Sequence, residues 1–487
     1  MNIVRSLRRR IDKLLNDKTG NIAMLTGLIM IPMTFALGMG IDYALAKQTQ
    51  VKLQGVADSA VLAALTPTEL TKSDADAQAA VQNLWNVQAP SAINGVGVTG
   101  AATVQTNLST GVRTSTITFT GQYPTMFGSV LGIKTLPLGS TSVAKNSLAP
   151  NINFYMLVDT SPSMALPTTT AGLTAMQNAS GCAYACHEAC PTCDNLNNPN
   201  GWDNYTYAIT PTANGGLGLY LRIKNVQDAV TSMISQAAST AHANGVTYGL
   251  SISKFDYQVT QVYSTPDIYS NATAATTAVQ NTATDANGEA LGLYPLQIYK
   301  NNCVFQSNCN PSNAGSDRDT AIDAALGVMD TANTGSASNG PGWTMFTTPG
   351  YGILGGTPQE VLFIVSDGSE DTYFGGSRVY APVSSPGISP KATNTDWCSQ
   401  IKGQGIRIAF LYLTYVPITT DSWYTGHVQP VQYPNNVAIT SANDQFAIAA
   451  QNCASTGLYT QVNTDGDITA ALNALFAKVV ATARLTH

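Results

Sequence analysis

Asn153-Phe154-Tyr155-Met156-Leu157-Val158-Asp159-Thr160-Ser161-Pro162-Ser163 is the stretch around which the other 476 of the 487 residues are read. The apolar half reads as a buried strand. The polar half places an acid and two hydroxyls at alternate positions just past the strand's end. Asp159 supplies charge, and Ser161 and Ser163 can turn their oxygens toward the same point. A small hard cation such as Mg²⁺ takes oxygen ligands in near-octahedral order and keeps some of its waters. With few anionic ligands such an ion stays electron-poor and can accept a carboxylate from another molecule. The plainer alternative is that these side chains only cap the next helix or close a turn.

The pattern D-x-S-x-S resembles the metal-ion-dependent adhesion site of von Willebrand factor A (vWA) domains. Two further segments resemble the rest of that site, in the right order. Thr320 opens Thr320-Ala321-Ile322-Asp323-Ala324-Ala325-Leu326, similar to the helix start that carries the family's metal-binding threonine. Asp367 ends the apolar run Glu360–Gly368 and resembles the family's second acidic position, a strand followed by Asp-Gly. The resemblance implies that Asp159, Ser161, Ser163, Thr320 and Asp367 hold Mg²⁺, Ca²⁺ or Mn²⁺. A phosphotransferase of the haloacid dehalogenase type is excluded, because its second Asp would stand where Ser161 stands.

Only 11% of residues are charged, against roughly 25% in ordinary soluble domains. Residues 1–18 carry six basic side chains against Asp12 and Asp17, a balance of +4. With a net charge of −6 overall, the rest of the chain carries −10, which argues against nucleic-acid binding.

The basic leader (residues 1–21) precedes an uncharged apolar stretch from Ile22 to Ile41, enough to span roughly 30 Å of hydrocarbon as a helix. Pro32 is tolerable there. The positive-inside rule puts the N-terminus in the cytoplasm and the remainder outside it. A cleaved signal peptide is the competing reading. The apolar run is longer than a typical signal core, and no A-x-A break follows it, so a retained single-pass anchor is expected. Apolar spacing continues helically through Leu53, Val56, Ala60 and Ala63. Gly20, Pro32, Asp42, Leu53-Gln54 and Ala57-Asp58-Ser59-Ala60 resemble the TadE/TadG-like N-terminal segment of Tad (Flp) pilus assembly proteins. Leu25 stands where pilin-like cleavage sites carry a Glu, which speaks against processing after Gly20. Asp58 reads as solvated surface.

Pro90 to Gly100 reads as a break. Thr99–Thr106 and Val112–Thr120 alternate around a turn and predict a hairpin. With the segments Tyr123–Gly132 and Leu138–Lys145 they form a small α/β unit, so that residues 42–150 make one exported region. Residues 151–487 predict a doubly wound, mostly parallel α/β sheet of vWA type, with Cys-containing insertions at about 164–216 and 265–318. Strands are expected at Val246–Phe255, Val259–Tyr263 and Gly405–Tyr412. An apolar face over Ile223–Ala237 marks a helix, with others near Asn443–Cys453 and Gly466–Ala483.

All eight cysteines follow the span, as disulfides in an oxidising compartment require. Neighbouring elements of one sheet can bring Cys398 and Cys453 together, and TadG-like chains have cysteines at similar places. Cys303 and Cys309 can close a small loop. Cys182, Cys186, Cys190 and Cys193 can form two disulfides or a zinc site. Cys186-His187 does not have the spacing of a haem attachment site, and Cys190-Pro191-Thr192-Cys193 stands outside the βαβ setting of a thioredoxin pair.

Together these features predict a non-enzymatic, inner-membrane-anchored, periplasm-facing protein of Tad pilus assembly or adhesion. Its metal site would dock an acidic residue of a partner, either pilin or another Tad assembly protein. A metal-dependent hydrolase of the envelope is the rival. It needs a general base beside the ion, and His187, His242, His427 and His487 form no ligand motif. A vWA partner of a cytoplasmic ATPase is disfavoured by the span's orientation and the cysteines.

Overall fold

The computed structural model describes residues 19–93, 97–180, 208–255, 259–283, 291–293, 326, 346–374, 377–384, 396–420 and 424–483. The chain divides into two compact units, one through Leu148 and one from Ala149 onward.

The first unit begins with helix α1, Thr19–Ala63, unbroken by Pro32. From Met24 it is long and apolar enough to cross a membrane. Its two halves differ. Met24, Leu28 and Ile31 are exposed, whereas Leu53, Ala57 and Ala60 are fully buried. They pack against helix α2, Asp74–Ala92, and a sheet of β1 (Val98–Asn107), β2 (Val112–Pro124) and β3 (Thr135–Ser147). The sheet is antiparallel in the order β1-β2-β3. Helix α2 runs through Pro90 to Ala92, into the start of the expected break. Its signals are local: Ser73 caps it by accepting from the Asp76 N–H, with Asp74 and Asp76 in the first turn. Its buried stripe is small, Ala77, Val81, Trp85 and Ala89 at intervals of four. The Trp85 indole lies where a Cβ on Gly100 would be, so a glycine is required in β1 there. Asp58 is exposed, as the solvated reading expects, and Ser142 Oγ donates to its Oδ1 at 2.6 Å.

The second unit is built on a six-stranded sheet. Its strands are β4 (Ile152–Asp159), β5 (Tyr248–Phe255), β6 (Val259–Thr265), β7 (Gln359–Ser366), β10 (Arg407–Leu413) and β11 (Tyr459–Val462). A separate antiparallel hairpin, β8 (Ser369–Phe374) and β9 (Ser377–Pro382), follows β7. The order is β11-β10-β7-β4-β5-β6, parallel throughout except for edge strand β6. This is the doubly wound, vWA-type arrangement expected. Helices α3 (Thr170–Ser180) and α5 (Ile268–Val279) fall within the stretches read as insertions.

Alternation along β4 sorts its side chains to two cores. Phe154, Met156 and Val158 join α4 (Arg222–Asn244) and α8 (Ile468–Ala483) on one face. Tyr155 and Leu157 join α6 (Trp397–Gly403) and α7 (Gln445–Cys453) on the other. Leu326, the one residue described in the run 320–326, is buried in this second core. Cys398 in α6 and Cys453 at the end of α7 form a disulfide, with Cα atoms 5.1 Å apart. The other six cysteines lie outside the described residues.

Candidate metal centre

From β4 the chain first builds toward one edge of the sheet, through β5 and β6, and then returns to β7 on β4's other side. The reversal leaves a crevice beyond the carboxyl ends of β4 and β7, where doubly wound sheets hold their ligands. Val158 pairs with Val365, so the next residues, Asp159 and Ser366, emerge side by side. Ser366 Oγ donates to Asp159 Oδ2 at 2.7 Å. Asp159 Oδ1 accepts the Ser161 N–H at 2.8 Å, folding the chain back over the carboxylate. Thr160 turns the other way, its N–H and hydroxyl both donating to the Phe255 carbonyl at the end of β5. That divergence leaves Ser161 and Ser163 on a common side, their Oγ atoms 3.1 Å apart.

Asp367 lies one residue beyond β7. Its Oδ1 accepts the Ser369 hydroxyl at 2.8 Å and the Ser369 N–H at 3.2 Å. Its Oδ2 is buried and makes no hydrogen bond of normal geometry among the described residues, although the Ser163 hydroxyl lies near the carboxylate. Gly368 explains the Asp-Gly pair. Its φ of +68° is left-handed, and its N–H donates to Ser366 Oγ, tightening the turn that presents Asp367.

Asp159 and Asp367 are both 0% exposed. Burial pushes both carboxyls above the usual range, and repulsion from Asp367 raises Asp159 further. The Ser163 hydroxyl, Arg222 and Ser369 pull Asp367 partly back. Arg222 was not read from the sequence as part of the site. It is buried in the first turn of α4, one guanidinium nitrogen donating to the Thr414 carbonyl at 2.8 Å and the other unpartnered among the described residues. Burial lowers its pKa while Asp367, Tyr412 and Asp159 hold it up. The available signal was a basic residue between apolar Leu221 and Ile223, at the helix end where the macrodipole disfavours cations.

The residues present fit a small hard cation. Two buried carboxylates face one guanidinium, a carboxylate oxygen is left without a donor, and two hydroxyl oxygens are bonded to each other. All the donors are oxygens. Among the described residues no three His, Cys, Asp or Glu side chains gather, so the set is two acids completed by hydroxyls. The structure brings Asp159, Ser161 and Ser163 to the crevice together with Asp367, and Thr320 lies outside the described residues. His242 stacks on Tyr269 in the last turn of α4, about 30 Å along that helix from Arg222. His427 packs near Tyr380.

The second unit has a doubly wound α/β fold of vWA type, in a chain that also carries an apolar N-terminal helix. In the N-terminal part, residues 20–80 match the family described as putative Flp pilus-assembly TadE/G-like. No curated protein matches the chain in sequence. Among solved structures, the chain is similar to the pilus adhesin SpaC from Lactobacillus rhamnosus GG at 9% identity. That match covers 80% of this chain but 34% of SpaC, with a TM-score of 0.29. The PilB minor pilin from Streptococcus sanguinis matches at 10% identity, covering 80% of this chain and 79% of PilB, with a TM-score of 0.30. The vWF domain of the type V pili tip protein Mfa5 from Porphyromonas gingivalis matches at 9% identity. It covers 68% of this chain and 96% of that one, with a TM-score of 0.26.

Proposed function

We propose that this is a membrane-anchored component of Tad (Flp) pilus assembly or adhesion that binds a divalent cation and docks an acidic residue of a partner, without turning over a substrate. Asp159, Ser161, Ser163 and Asp367 would hold the ion, with Thr320 completing the set. When bound, the ion supplies a positive centre that a carboxylate from pilin or another Tad assembly protein can satisfy. The chain's own residues do the preparatory work. Ser366 and the Ser161 N–H orient Asp159, Gly368 sets the turn that presents Asp367, and Arg222 tempers the repulsion between the acids. The anchor is α1, with the N-terminus cytoplasmic by its basic leader and the vWA-type domain in the periplasm.

The observation that carries this reading is the unpartnered, buried Oδ2 of Asp367 in a crevice shared with Asp159, on a chain with a TadE/G-like segment. Its test is co-purification of partners from detergent-solubilised membranes, with and without chelator, for the wild type and Asp159→Ala. Partners are expected to be lost on chelation and in the variant, while circular dichroism shows the fold retained. A partner set indifferent to both treatments would falsify the docking role.

A further inference from the structure

The loop between β2 and β3, residues 125–134, is unusual for a surface segment. Met126 is 73% exposed, Val130 69% and Leu131 50%, and Ile133 is also exposed. Such a cluster marks a contact surface when it is contiguous. Several of its backbone groups are satisfied from within. The Val130 N–H donates to the Phe127 carbonyl, Ile133 to Gly128, Gly132 to Ser129 and Thr125 to Lys134. Hydroxyls add two more links, from Thr125 to the Ile133 carbonyl and from Ser129 to the Met126 carbonyl at 2.8 Å. A loop facing water has no need of this closure; one facing hydrocarbon does.

The same loop is fastened to α1 where the apolar stretch ends. The Asp42 carboxylate, 2% exposed, accepts the N–H groups of Met126, Phe127 and Gly128 at 2.8–2.9 Å. One turn earlier, the Phe127 ring lies against Gly38, so close that a Cβ there would come within 2.4 Å of it. Gly38 stands about 6 Å inside the apolar stretch from Asp42. Phe127 therefore sits at a level of α1 that is itself apolar. Lys134 at the loop's end is exposed, and a long charged side chain there can reach water from an apolar setting.

We infer that residues 126–133 form a membrane-seated wedge. It dips its apolar side chains into the bilayer leaflet from which α1 emerges, with Asp42 as the clamp that holds it on the helix. The occupant of this surface is lipid, because the patch continues the lipid-facing surface of α1 through Phe127 on Gly38. The inference rests on the reading of α1 as a membrane anchor, not on the metal centre. The wedge would fix the depth and tilt of α1 at its exit, through an interfacial aromatic and flanking apolar groups.

The test is photo-crosslinking of the full chain in proteoliposomes, with p-benzoyl-phenylalanine placed singly at positions 28, 62, 126 and 130. Leu28 lies in the apolar half of α1, and Leu62 is an exposed apolar residue about 30 Å further along the helix than Asp42. Lipid adducts are expected at 28, 126 and 130 and not at 62. In the Asp42→Asn background the adduct at 130 should fall several-fold while that at 28 is unchanged. Adducts at 28 without any at 126 or 130, or adducts there to protein instead of lipid, overturn the wedge and leave the anchor standing. Absence of lipid adducts at 28 overturns the anchor and the wedge with it.

Discussion

Replacing Asp367 with Asn separates a cation site from an ordinary buried acid pair, because the two readings predict opposite signs. The isosteric amide keeps a carbonyl oxygen for the Ser369 hydroxyl and N–H, and its NH₂ falls where Oδ2 now lacks a donor. Asp367 is raised above its ordinary value, chiefly by burial. Its charged form is therefore disfavoured in the folded state, and the contribution it makes when protonated is lost as pH rises through its folded value. In EDTA at pH 7, Asp367→Asn should be at least as stable as the wild type. Mg²⁺ reverses the ranking. At a hundredfold excess over Kd, a ligand that binds only the folded state stabilises it by about 2.7 kcal/mol. For a large domain this corresponds to roughly 5 °C in Tm. Differential scanning fluorimetry of the full chain in detergent, in EDTA and across a Mg²⁺ series, should show that rise in the wild type and little or none in the variant. Equal shifts in both proteins, no shift in the wild type, or a variant less stable than wild type in EDTA would each refute the reasoning.

Three further outcomes are expected. Gly368→Ala forces a Cβ into a left-handed turn, 3.3 Å from the Phe446 carbonyl, and should cost about 1–2 kcal/mol in urea denaturation while weakening Mg²⁺ binding by calorimetry. The Cys398–Cys453 bond closes a separation of 55 residues, and Cys398→Ser with Cys453→Ser should lower stability by about 4 kcal/mol on the chain-entropy estimate, read as a lower urea midpoint with a slope no smaller than the wild type's. Asp396 caps α6. Burial opposes its charge, but hydrogen bonds from Ser384 and Ser399 together with Lys402 outweigh it, leaving its pKa below the ordinary value. Its contribution is thus present above the unfolded Asp pKa and lost as pH falls through the folded one, so Asp396→Ala should cost about 1 kcal/mol at pH 7 and converge on wild type in acid, by urea midpoints at both pH values.

Asp159, Ser161 and Ser163 were legible because their geometry is local. Two-residue spacing past a strand end puts the hydroxyls on one side, and Thr160 is free to satisfy β5 instead. Asp367 was legible because an apolar run ending in Asp-Gly announces a strand, a tight left-handed turn and a presented acid in four letters. Arg222 was not, because what makes it part of the site is the electrostatic influence of acids 63 and 145 residues away, which no local rule connects. Helix α2 was obscured for a different reason: with Ala at two of its four buried stripe positions, it buries too little apolar surface to stand out from a polar stretch. The clamp at Asp42 shows the same limit. A carboxylate one residue past an apolar stretch reads as the point where a span meets water, yet it is buried and holds three N–H groups of a loop more than eighty residues on. In each case the local pattern supplied the residue type, and the sheet or helix packing supplied the partner.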